Sequence, residues 1–170
     1  MKRIWFYVIV CLQALFLILM SMSYYTMDEW GESIRLKTAP VDPRDPFYGD
    51  YVTLSYEVEL VPTDKWNISS DIASGEKVYL LLEPGENDLY TLVQATVEKP
   101  DVSGAEVVLP ARLDWHDPQR GVYMVDIGME RYFIEEGTGR QYEQNREDLI
   151  VEVIVAPWGQ KKIDSVTTAE

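Results

Sequence analysis

The stretch DPRDPFYGDY, residues 42–51, places Asp42, Arg44, Asp45 and Asp50 within nine positions. Carboxylates and a guanidinium at that density can do several things. Clustered oxygens can gather a small cation. Arg44 can bond a carboxylate through two parallel N–H groups. A carboxylate pair can share acid and base work, but no base or nucleophile stands near it in sequence. Pro43 and Pro46 fix their own φ and hold the aspartates before them extended. Gly49 can take a positive φ, and Asp50 can bond back to a nearby backbone N–H. The pattern points first to a stiff corner, stapled by Arg44 to Asp45 or Asp50, that aims the following strand. In the functional alternative the same charges form a binding lip for a partner or a small cationic ligand.

A second constellation is GMERYFIEEGTGRQYEQ, residues 128–144. Arg131 beside Tyr132 and Phe133 suggests a cation held on a packed aromatic strand. Glu135, Glu136 and Gly137 end that strand with negative charge, and Gly137 and Gly139 permit a tight turn. It makes a poor phosphate loop, because its flanks are acidic and no Gly-Lys-Ser/Thr follows. It also lacks the spaced oxygen ligands of an EF-hand. A structural turn with an internal Arg–Glu pair is the expectation.

The remaining reactive residues are sparse. His116 is the one histidine and Cys11 the one cysteine, so no zinc set and no Ser–His triad assembles beyond what His116 alone could give. A Ser–Lys dyad has no motif behind it. Asn67-Ile68-Ser69 fits a glycosylation sequon, relevant only in a eukaryotic secretory pathway. The chain therefore reads as a non-enzyme, an uncharacterised hydrolase being the residual exception, with no catalytic residue, metal or cofactor assigned.

Charge narrows the partners. The net charge is -14, and all 29 acidic residues lie beyond Met27. Phosphate binding needs a basic face, which excludes nucleic acid. Anionic lipid headgroups are disfavoured for the same reason.

The elements that carry these residues follow from hydropathy and periodicity. After Lys2 and Arg3, IWFYVIVCLQALFLILMSM runs from Ile4 to Met22 without a charge. Its length suits a bilayer-spanning helix. Basic residues before it and Asp28, Glu29 and Glu32 after it place the N-terminus in the cytoplasm and the remainder outside. A cleaved signal peptide, with Ser21-Met22-Ser23 as its cut site, is the competing reading, but the apolar run is longer than a typical signal core. The expected organisation is an anchor over 1–24, a linker over 25–33, an extracytoplasmic β-rich domain over 34–166 and a frayed tail over 167–170. Cys11 falls in the anchor, so the domain has no disulfide.

Beyond the anchor, strand signals alternate with turns. Ile34 and Leu36 share a face. Val52, Leu54, Tyr56, Val58 and Leu60 share another over ten residues, opposite Tyr51, Thr53, Ser55, Glu57 and Glu59. KVYLLLEP and LYTLVQATV read as a hairpin through PGEND. AEVVLPARLDW carries a kink or edge at Pro110, and GVYMVDIG returns. LIVEVIV and QKKIDSV close the series. The linker between Pro62 and Gly75 suggests a helical turn near Ser70–Ala73, and RQYEQNRED carries a brief helical pattern. No βαβ rhythm appears. The expected fold is mainly β, an antiparallel sandwich or partly open barrel behind one transmembrane helix.

GDYVTLSY, residues 49–56, resembles the pattern that names the bacterial GDYXXLXY family of membrane-anchored proteins. VDPRDPFY before it resembles that family's lead-in, and GMERYFIEEGTGRQYE resembles its second block. Tyr48 departs from the pattern, standing where a basic residue is usual. The resemblance implies one N-terminal anchor and an extracytoplasmic domain of uncharacterised function that accompanies a polytopic integral membrane protein. The positions that match are Asp42, Arg44, Asp45, Gly49, Asp50, Tyr51, Leu54, Tyr56, Arg131, Glu136 and Gly137, with no catalytic role attached. The functional expectation is an accessory module whose two motif blocks form one contact surface, with Arg44 and Arg131 as the buried, paired charges in it. The alternative is a sensor or carrier domain that binds a small cation or polar ligand through Asp42, Asp45, Asp50 and Glu136.

Overall fold

A computed structural model describes residues 2–39, 51–133 and 149–168. The chain opens with helix α1, Lys2–Tyr25, followed by the short helix α2, Met27–Trp30. Among the described residues ten strands follow: β1 Glu32–Lys37, β2 Tyr51–Thr53, β3 Leu60–Pro62, β4 Lys77–Pro84, β5 Tyr90–Thr96, β6 Val107–Asp117, β7 Val122–Asp126, β8 Arg131–Phe133, β9 Leu149–Val155 and β10 Lys161–Thr168. They pair antiparallel into a five-stranded sheet ordered β3-β7-β6-β4-β5, a three-stranded sheet β1-β9-β10 and the ribbon β2-β8. Isolated bridges, Arg35 with Leu89 and Thr38 with Tyr56, join β1 to the rim of the larger sheet and to the chain after β2. The sheets thereby wrap into a nearly closed barrel around one core, the antiparallel β architecture that the strand rhythm implies.

The core is built as the periodicity requires. Ile34, Leu36, Val78, Leu80, Leu82, Leu109, Val151 and Val153 have no solvent exposure. The PGEND turn closes the β4–β5 hairpin, with Asn87 and Asp88 at φ near +57° and +58°. Asn and Asp tolerate this left-handed region through local side-chain bonding. Pro110 lies inside β6, which is a central strand. It is accommodated because β6 pairs with β7 only from Arg112 onward. At Pro110 the strand has β4 alone beside it, and the missing N–H falls on the open side.

Three expectations need correction. The ten-residue strand from Tyr51 to Leu60 does not form: β2 ends at Thr53, and Glu57–Glu59 is a 3₁₀ turn. Leu54, Tyr56 and Val58 are buried as expected, but beyond the turn the faces exchange, burying Glu59 and leaving Leu60 42% exposed. The cause is local. The Tyr56 N–H donates to Glu59 Oε2 at 2.9 Å, the reciprocal half of a capping box, and this closes the turn. Residues 70–73 form no helical turn; the 3₁₀ turn of this connection is Thr63–Lys65, tied by the Thr63 N–H to the Gly121 carbonyl. Thr167 and Thr168, expected in a frayed tail, pair with Ile150 and Leu149 of β9. The helical pattern at RQYEQNRED lies outside the described residues.

Helix α1 is exposed along its length, and the segment Arg3–Trp30 is long and apolar enough to cross a membrane. At 1.5 Å per residue, α1 spans about 36 Å against a hydrocarbon core of about 30 Å. The span expected as a linker is folded onto the domain. Met27 is buried, and the Lys162 ammonium pairs with Asp28 and sits 4.8 Å above the Tyr24 ring. Gly31 lets α2 turn into β1: a Cβ there would stand 2.5 Å from the Ile154 side chain and from the Met27 carbonyl.

Candidate functional site

The two motif blocks meet. Strands β2 and β8 pair antiparallel, Tyr51 opposite Phe133, Val52 opposite Tyr132 and Thr53 opposite Arg131. The contact continues past β2, where the Leu54 N–H donates to the Glu130 carbonyl at 2.7 Å. Leu54 then turns into the core. Tyr56 is fully buried, and its hydroxyl donates to the Met129 carbonyl at 3.0 Å. Burial, and secondarily the Glu59 charge, raises the phenol above its ordinary range, so it stays a neutral donor at physiological pH.

Glu59 completes the junction. Its Oε2 accepts from the Tyr56 N–H at 2.9 Å and from the Ser55 hydroxyl at 3.4 Å, and its Oε1 accepts from the Ile127 N–H at 3.2 Å. One carboxylate thus binds the first block to the chain leading into the second. Burial raises the Glu59 pKa above the usual carboxylate value; the two backbone N–H bonds oppose the rise, while Asp126 and Glu130 add to it. Alternation had assigned Glu59 to the solvent face, so sequence reasoning missed it. The available signal was its place three residues after Tyr56, the spacing of a capping box. Among the described residues no buried side-chain nitrogen or oxygen lacks a partner.

The ribbon presents an alternating outer face. Tyr132 packs against the core, while Arg131 and Phe133 point outward, with Phe133 73% exposed. Of the residues expected at this site, the structure joins Tyr51, Leu54, Tyr56 and Arg131. Asp42, Arg44, Asp45, Gly49, Asp50, Glu136 and Gly137 lie outside the described residues, and with them the ion pairs expected of Arg44 and the carboxylate cluster of the alternative reading. Nearby, Lys37 and Glu57 form an exposed ion pair at 2.8 Å, which contributes at most about 1 kcal/mol.

Two other polar groupings have structural explanations. His116 stacks on Tyr123 at 4.0 Å between centroids, and Tyr123 stacks on Trp66 at 3.9 Å. This three-ring stack holds the 3₁₀ connection against the β6–β7 hairpin. Lys161 of β10 donates to the Pro110 carbonyl on the side of β6 that β7 does not cover. Burial lowers its pKa to about 8. Among the described residues no three or more His, Cys, Asp or Glu side chains gather as a metal site. The chemistry of the junction is that of a clasp: buried acceptors and neutral donors, with the exposed side chains of Arg131 and Phe133 beside them.

No curated protein and no solved structure matches the chain. Residues 13–166, from the second half of α1 to within β10, match the family described as GDYXXLXY protein, and the chain belongs to that family.

Proposed function

We propose that the chain is a membrane-anchored accessory module for a polytopic integral membrane protein. In this reading α1 crosses the bilayer with Lys2 and Arg3 on the cytoplasmic side, following the charge asymmetry around it. The β domain then stands on the extracytoplasmic face. The observation that carries the docking role is the β2–β8 ribbon. It joins the two motif blocks on one face and displays Phe133 and Arg131 side by side. Aromatic and arginine side chains are the usual anchors of protein interfaces, one supplying apolar area and the other directional hydrogen bonds.

The test is capture of partners by the full chain, solubilised in mild detergent after crosslinking in its native membrane. Recovery of one polytopic protein, lost on Phe133→Glu while the β-sheet circular dichroism spectrum persists, supports the reading. Equal recovery by the variant removes the ribbon from the interface. A panel of crosslinks that yields no membrane protein overturns the accessory role.

A further inference from the structure

The turn between β9 and β10 is fastened to the end of the apolar helix. The Ser23 hydroxyl donates to Gln160 Oε1 at 2.8 Å, across 137 residues of chain. The Trp158 indole N–H donates to the same oxygen, also at 2.8 Å. The turn itself is rigid: the Ala156 N–H donates to the Gln160 carbonyl and the Gly159 N–H to the Ala156 carbonyl, with Gly159 at φ +90°. The Lys99 ammonium donates to the Pro157 carbonyl at 3.2 Å. Trp158 is thereby held at a set height beside Ser23, with 47% of its surface exposed.

That height has a physical meaning. A hydrocarbon core of about 30 Å takes about 20 helical residues. Counted from Ile4, the first residue after the basic pair, its far boundary falls at Ser23. We infer that Trp158 inserts into the interfacial zone of the bilayer, so that the β9–β10 turn is a second membrane contact that fixes the tilt of the β domain. The inference rests on α1 spanning the membrane, as proposed above. Indole suits this zone because its ring partitions among acyl carbons while its N–H keeps a polar partner, here Gln160. Tyr24, Tyr25 and Trp30 lie exposed at the same end of the helix and extend the aromatic belt. Lys99 and Lys162 brace this end of the domain, the Lys99 ammonium bonded to the Pro157 carbonyl and the Lys162 ammonium to Asp28. The adjoining cleft, about 500 Å³, is walled by Glu32, Asp101 and Glu106 as well as by Lys77 and Lys99. The contact is therefore one with the interface in general and does not depend on anionic lipid.

The experiment uses the full chain in phosphatidylcholine vesicles, with Cys11→Ser removing the native thiol. Single cysteines replace Leu15, Gln119 or Trp158, and each carries a nitroxide whose relative accessibility to oxygen and to a water-soluble nickel complex reads depth. Gln119 stands at the β6–β7 hairpin tip, about 23 Å along β6 from Pro110, and serves as the aqueous reference. The expected order of the oxygen-to-nickel ratio is position 15 highest, 158 intermediate and 119 lowest. Adding Gln160→Ala should shift the 158 label toward the aqueous value. A 158 label equal to 119, with 15 buried in the core, overturns the second contact while anchoring stands; the turn then faces water or a protein partner. A label at 15 in water overturns the anchoring and the contact with it.

Discussion

The Tyr56 hydroxyl and the Met129 carbonyl are hydrogen-bonded at 3.0 Å across 73 residues of chain, inside a core where Tyr56 has no exposed surface. The last residue of the GDYVTLSY block is thus the one that locks the second block in place. Tyr56→Phe leaves the ring and its packing intact and orphans one buried carbonyl. The expected cost is about 1–2 kcal/mol, and Tyr56→Ala should cost about 3–5 kcal/mol through the cavity it opens. Chemical denaturation of both variants measures this. A Phe variant as stable as the native chain would remove the bond from the energetics of the junction.

Glu59 makes stability depend on pH in a defined direction. Its folded pKa lies above the ordinary 4.5, chiefly from burial. Between those values the folded state holds more protons than the unfolded one, so this group's contribution is full below pH 4.5 and declines as pH rises through the folded pKa. Glu59→Gln imitates the protonated form but faces one N–H with an NH₂ group. The variant should be less stable than the native chain, most clearly at low pH, with the gap narrowing as pH rises. Parallel stability–pH curves for the two chains would refute the assignment.

Lys161 acts in the opposite sense. Its folded pKa is lowered from 10.5 to about 8, mainly by burial, with Lys77 and Arg112 adding and Asp126 and Glu59 opposing. Between pH 8 and 10.5 the unfolded state holds more protons, so stability rises with pH across that window and is lost again as pH falls through 8. Lys161→Met should abolish the rise and raise the melting temperature at pH 7, where the native chain carries a half-buried charge. A lower melting temperature for Lys161→Met at pH 7 would show that the bond to Pro110 outweighs desolvation.

Gly31 governs how the helix meets the sheet. A methyl group there meets the Ile154 side chain and the Met27 backbone oxygen, both at 2.5 Å. The carbonyl belongs to the bond that ends α2, from the Gly31 N–H to Met27 at 2.9 Å, and cannot yield cheaply. Gly31→Ala should destabilise the domain by about 1–3 kcal/mol and expose the α2–β1 joint to protease. Unchanged proteolysis and melting would show that the α2–β1 joint shifts without cost.

Much of this molecule was legible from its residues. The uncharged run from Ile4 to Met22 determined one long apolar helix, because it holds no charge, glycine or proline to interrupt one. Alternation determined that Ile34, Leu36, Val151 and Val153 lie inside, since a period of two leaves a strand one buried face. PGEND determined a hairpin, because Asn and Asp accept the left-handed backbone that the turn demands. The family followed from GDYVTLSY and its companion block. What pattern alone could not reveal depended on contacts between distant segments. Alternation misplaced Glu59 and Leu60, because a carboxylate that reaches back to Tyr56 and across to Ile127 reverses the faces of a strand that looks regular. Pro110 is tolerated in a central strand because β7 pairs only with the later part of β6, a fact of register. Only the tertiary structure decided that the two motif blocks are neighbours, and that Gln160 joins Ser23 to Trp158. Such pairings are set by which surfaces meet when the core closes, and no local propensity encodes them.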